Sequence, residues 1–187
     1  MPNHKKLLEL ALYISEKANS DEYLSATKLN KILFLTDFHY YLKTGKSITG
    51  QEYLKFPYGP VPKDMKRIEK DNKADIVFKV SDFFGKSQKK PIALRQPQLK
   101  GFSAEEISFV DSLIEVVCGK SKTSATFISD KSHEYLGWQM VPMGKPIPYN
   151  TIYFGKSRDQ KVSSFVKLHA ERLLTELGTD YGYQQVA

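Results

Sequence analysis

The chain of 187 residues contains one cysteine, Cys118, so an intrachain disulfide is excluded and a cysteine-based zinc cluster is ruled out. It has no apolar run near the roughly 18 residues that a membrane span requires. The N-terminal stretch Leu7-Leu8-Glu9-Leu10 is interrupted by Glu9 and Glu16, which does not suit the core of a signal peptide. Single-sided composition is also missing: 41% of residues are hydrophobic and 26% charged, the balance of a folded domain rather than of a disordered tail. A reducing cytoplasm is the expected compartment. Internal repeats and low-complexity segments are absent.

Chemistry-bearing motifs are scarce as well. Gly45-Lys46-Ser47 lacks the earlier glycine of a phosphate-binding loop, since position 40 is tyrosine. His133-Glu134 lacks the second histidine of a zinc hydrolase, since position 137 is glycine. Cys118 with His133 could be imagined as a nucleophile and base. No nucleophile elbow or glycine-rich oxyanion loop accompanies them, and the C-terminal end of a helix opposes thiolate formation. Asp37 and His39 stand two apart on a helix and face different ways, so they do not pair. His169 falls on the apolar stripe of a helix and reads as a core histidine. These features point to a non-enzymatic protein without metal or cofactor.

What is present is helical periodicity. Leu7, Ala11, Ile14 and Ala18 mark a first helix over about 5–18, with Lys6, Glu9, Glu16 and Lys17 off that face. Ser25 is an expected N-cap for a second helix carrying Leu29, Ile32, Leu33, Phe34, Phe38, Tyr41 and Leu42, apolar on more than one face and therefore central. Gly45 is its expected stop. Thr49-Gly50 signals a turn, 53–56 a short extended piece, and Pro57 to Pro62 a stretch that cannot be helical. A helix with Met65 and Ile68 follows. Ile76, Phe78 and Val80 alternate as a strand. Gly85 to Gln88 reads as a turn and 91–94 as the returning strand of a hairpin. Ser103-Ala104-Glu105-Glu106 is a capping box opening a helix that ends at Gly119. A helix over 124–133, an irregular segment over 137–148 and a last helix over about 159–177 complete the chain. The expected fold is mainly α with a small antiparallel β-hairpin, an α+β helical domain.

The net charge is +7. Lys79, Lys86, Lys89, Lys90, Arg95 and Lys100 face only Asp82 between positions 79 and 100. Such a patch could contact nucleic acid through phosphates or dock an acidic protein. Lysines that shield a hairpin edge explain it more simply.

Three stretches carry a family resemblance: Lys28-Leu29-Asn30-Lys31, then Thr49-Gly50, then Tyr58-Gly59-Pro60-Val61-Pro62. Phe102-Ser103-Ala104-Glu105-Glu106, Ser132-His133, Gly137-Trp138 and Ile147-Pro148-Tyr149 continue it in order. Together they resemble the Panacea, or SocA-like, antitoxin domain family, which includes phage-associated proteins. The resemblance covers about residues 5–155, so a domain over 1–155 is expected, with 156–187 a helix and tail packed on it. It departs from the family at Gly137, where an alanine often precedes the tryptophan. It implies an antitoxin that neutralises a cognate protein toxin by direct binding, the toxin being encoded beside it. Alternatives are a DNA-binding regulator of its own operon and an adaptor that delivers a partner to a protease. The residues it singles out for partner binding are Lys28, Asn30, Tyr58, Pro60, His133 and Trp138, with Lys28 and Asn30 placed to brace the Tyr58 loop. No cofactor and no membrane are implied.

Overall fold

A computed structural model describes residues 4–119 and 124–154, apart from the side chain of Lys86. The helix expected over 159–177, His169 and the 156–187 extension lie outside the described residues.

Helix α1 (His4–Lys17) is buried without a break from Leu7 to Ser15. This differs from the one-faced helix that its periodicity predicts. Glu9 explains the difference. Its carboxylate accepts Arg95 Nη2 at 2.7 Å, Arg95 Nη1 at 2.9 Å and the Gln98 N–H at 2.7 Å. Burial opposes its ionisation, yet the hydrogen bonds from Arg95 and Gln98 hold the carboxyl below its ordinary value. Arg95 also donates from Nε to Asp75 at 2.6 Å. The arginine expected in a surface patch is therefore a clamp that closes the far side of α1.

Helix α2 (Ala26–Thr44) begins where Ser25 Oγ accepts the Lys28 N–H. It ends at Gly45, whose left-handed φ of 72° costs glycine little and whose N–H bonds the Tyr41 carbonyl. It is the central helix: α1, the later helices over Ala104–Cys118 and Ala125–His133, and the short strand Val61–Pro62 all pack on it. Phe34 and Phe38 are buried, with ring centroids 4.3 Å apart, and Tyr53, Tyr135 and Tyr149 close around them. Burying each such ring contributes about 1.5–3 kcal/mol. Leu42, expected in this core, is exposed near the helix end.

Strands β1 (Tyr53–Leu54), β2 (Val61–Pro62) and β5 (Pro146–Ile147) form a small antiparallel sheet in the order β2-β1-β5. Tyr53 lies opposite both Pro62 and Ile147. Pairing across so long a separation leaves no local signal, which is why 137–148 read as irregular; the segment in fact holds β5 and the short helix α6 (Leu136–Met140). Helix α3 (Met65–Asp71) precedes the hairpin of β3 (Ile76–Phe83) and β4 (Lys86–Ala93). The hairpin is longer than expected, because the turn is Phe84-Gly85 rather than 85–88. Both turn residues have positive φ, 52° and 74°, the requirement of a two-residue turn that matches strand twist. Pro91 sits within this two-stranded edge, where its missing N–H is tolerated.

Helix α4 (Ala104–Cys118) opens with the full capping box: Ser103 Oγ accepts the Glu106 N–H at 3.1 Å and the Glu106 carboxylate accepts the Ser103 N–H at 2.9 Å. Val110, Ile114 and Val117 form its buried stripe. Helix α5 (Ala125–His133) is capped by Ser124. A 3-10 turn over Tyr149–Phe154 packs back on α2 and α6. The described residues are thus mainly α with two small antiparallel sheets. Among the described residues no helix is long and apolar enough to cross a membrane.

Candidate functional site

The proline-rich loop between β1 and β2 is the organising feature. Its backbone has no helix or strand of its own until Val61, so side chains of the neighbouring helices fix it. Lys31 of α2, fully buried, donates from Nζ to the Pro60 carbonyl at 2.8 Å. Ser129 of α5 donates from Oγ to the Tyr58 carbonyl at 2.8 Å. Gly59, with φ of 93°, lies between them so closely that a Cβ there would sit 2.5 Å from Lys31 Cε and overlap the Ser132 hydroxyl. The backbone approach explains the glycine, and the two clamps on either side hold Tyr58 outward with 76% of its surface exposed.

Lys31 was not among the residues expected to brace this loop. Lys28, one turn earlier, does not reach the loop: it is buried in an ion pair with Asp21. Asn30 is buried with its Oδ1 unpartnered. The two lysines of the motif, one turn apart on α2, thus have different partners: Lys28 meets Asp21 and Lys31 meets the loop. The spacing alone does not say which lysine meets the loop; only the helical phase relative to α5 decides it.

Among the described residues no carboxylate hydrogen-bonds the Lys31 amine, and burial pulls its pKa down to about 7. In an unfolded chain the amine holds its proton to about 10.4. Between about pH 7 and 9 the unfolded state therefore binds more protons, and stability rises with pH across that window. Thermal or urea unfolding measured at intervals over pH 6.5–9 should show the rise, and Lys31→Met should flatten it. A flat profile in the unsubstituted protein would mean the amine is not buried in this way.

His133, at the end of α5, stacks on Trp138 of α6 with ring centroids 3.9 Å apart and planes 15° from parallel. Lys55 Nζ lies 4.4 Å from the Trp138 centroid, a cation over an aromatic face, and also donates to the Gln139 carbonyl at 3.3 Å. Among the described residues His133 Nε2 and Trp138 Nε1 have no hydrogen-bond partner. Burial first, then the charge of Lys31, lowers the His133 pKa, so the imidazole is neutral near pH 7. Ser132, the residue before His133, lies directly against Gly59, so the loop and the histidine–tryptophan stack are neighbours. Tyr58, Pro60, His133 and Trp138 thus gather around one corner formed by α2, α5 and α6, whereas Lys28 belongs to the interior.

Gly137, the departure from the family pattern, has a local cause. A Cβ at that position would overlap the Thr151 hydroxyl and lie 2.7 Å from Thr151 Cβ. Thr151 is buried and occupies the space an alanine methyl would take.

Two further groups are placed by the fold. Asp37 is fully buried and accepts the Thr49 N–H at 2.8 Å, the Thr49 hydroxyl and the Tyr53 hydroxyl at 2.7 Å. His39, as the spacing requires, does not meet Asp37 and instead shares a 2.6 Å hydrogen bond with the Tyr135 hydroxyl. Cys118 lies beside Asp21 and Lys28, and burial pushes its thiol up to about 12. A thiol so protonated at neutral pH is a poor nucleophile.

A family model described as Antitoxin SocA-like, Panacea domain, matches residues 29–139, more than half of the chain. The chain belongs to this family. No curated protein and no solved structure matches it. The matched span runs from α2 through the Trp138 stack and contains all the residues of the loop corner. The described segment 140–154, with β5 and the closing 3-10 turn, lies beyond it.

Proposed function

We propose that this protein is an antitoxin that neutralises a cognate protein toxin by direct binding in the cytoplasm, with the corner around Tyr58 as the contact. The family to which the chain belongs supports an antitoxin role. The observation that carries the choice of surface is Tyr58 itself: a large aromatic side chain, 76% exposed, on a backbone clamped at its own carbonyl and at that of Pro60. A rigid aromatic buries much area on binding while losing little conformational freedom. Trp138, half-buried and stacked on His133, offers a platform beside it. Pro60, held by Lys31, acts in this reading by shaping the corner, while Lys28 and Asn30 are buried and support it only from within α2. A DNA-binding role is less well supported, because Arg95 is committed to Glu9 and Asp75, Lys89 to Glu69, and Lys90 to the Asn19 carbonyl.

Co-expression with the adjacent reading frame should restore growth, and Tyr58→Ala should weaken the purified complex by about tenfold or more, roughly 1.4 kcal/mol, with an unchanged melting temperature. Growth rescue by Tyr58→Ala at native affinity would remove the corner from the interface. Failure of the unsubstituted protein to rescue growth or to co-purify with the neighbouring product would remove the toxin-binding reading itself.

A further inference from the structure

At the N-terminal end of α2 a groove of about 690 Å³ opens between the hairpin tip and the starts of α2 and α5. Its volume is in the range of sites that hold small ligands or a few side chains, about 300–1,000 Å³. One wall is an aromatic row: Tyr23 meets Phe83 edge-on at 5.4 Å, and Phe83 meets Phe84 at 4.7 Å. The floor is small and hydroxylic, with Thr27 and Thr126 from the first turns of the two helices. Among the described residues no aspartate or glutamate lines it. The strands that build the wall carry four lysines against one aspartate, in a chain whose net charge is +7.

Phe84 is the unusual residue. It is 83% exposed and adopts a left-handed φ of 52° at a turn position that asparagine or glycine fills at much lower cost. Neither the core nor the turn accounts for a phenylalanine there. We infer that this groove docks an acidic polypeptide segment that carries one large aromatic or aliphatic anchor: the anchor packs on the Tyr23–Phe83–Phe84 row, and the carboxylates meet the basic hairpin. A nucleic acid fits less well. Backbone tracking needs a line of uncommitted cations; on the described hairpin Lys89 is paired with Glu69 and Lys90 with the Asn19 carbonyl, which leaves Lys79 to meet a carboxylate but no line of charges for a phosphate backbone. The groove is separate from the Tyr58 corner, and the inference does not depend on the proposed toxin binding.

The test uses a short fluorescent peptide of glutamates flanking one tryptophan, with two controls: serine in place of tryptophan, and lysines in place of glutamates. Fluorescence anisotropy with the full chain should give binding about tenfold tighter for the acidic tryptophan peptide than for either control, weakening as salt is added. Phe84→Asn supplies the favoured turn residue, so the hairpin should be at least as stable while that preference disappears. Thr126→Glu is a second variant that keeps the fold: a carboxylate in the first turn of α5 favours the helix but repels the acidic peptide, and it should abolish binding. Equal binding of the three peptides, no binding of the acidic one, an unchanged preference in both variants, or displacement by a single-stranded oligonucleotide in place of the peptide would overturn the inference. Growth rescue is scored separately. Loss of peptide binding with rescue intact would strike this groove alone.

Discussion

Asp37→Ala should cost about 3–5 kcal/mol of stability, because it strands three buried donors at once. The Thr49 N–H, the Thr49 hydroxyl and the Tyr53 hydroxyl all end on this one carboxylate, in an interior where none of them has water to turn to. Burial pushes the carboxyl pKa up, and the hydrogen bonds from Thr49 and Tyr53 oppose that push. The carboxylate joins α2 to the Thr49-Gly50 turn and to β1, so the loss also loosens the strand from which the Tyr58 loop departs. For a chain of this size the melting temperature should fall by roughly 6–20 °C. Asp37→Asn keeps the volume and part of the acceptor capacity and should fall between the two. A loss within about 1 kcal/mol for Asp37→Ala would show that the three donors find other partners.

Gly59→Ala should cost about 2–4 kcal/mol, the sum of two effects that can be separated. The positive φ of 93° penalises any side chain, and the new Cβ would drive into Ser132 and Lys31. Gly45 supplies the control. It has a comparable φ of 72° but open space around its Cβ position, so Gly45→Ala should cost only about 1 kcal/mol. The difference between the two variants in urea unfolding measures the close approach of loop and helix. Equal losses would mean that the Tyr58 loop is not pressed onto α2. Neutralisation by Gly59→Ala should fail along with stability, since the displaced loop carries Tyr58 with it.

Local chemistry was the readable part of this fold. The Ser25 cap, the Gly45 stop and the Ser103–Glu106 box each act within one turn of chain, and each stands where the residue types place it. The apolar breadth of α2 announced its central position for the same reason. Features set by distant partners were not readable. Glu9 looked like a surface residue until Arg95, 86 positions later, closed over it. β5 is two residues long and exists only because Tyr53 pairs with Ile147. The hairpin turn was misplaced by two residues because a phenylalanine in the left-handed region is not a turn signal. At the candidate site, the exposed Tyr58 and the paired His133 and Trp138 could be singled out from the motif. That Lys31 rather than Lys28 holds the loop could not, since both stand in the same four-residue pattern and only packing separates them.

The order of strands in the small sheet has a consequence for biosynthesis. Its middle strand β1 is made early, but one of its two neighbours, β5, lies 94 positions further along at Ile147. At about 5–20 residues per second, a ribosome needs roughly 5–20 s to traverse that distance. Until then Tyr53 and the aromatic cluster behind it have one flank uncovered. The nascent chain is therefore a candidate for chaperone capture during this interval, and a messenger truncated before codon 147 would yield a polypeptide that cannot complete the sheet.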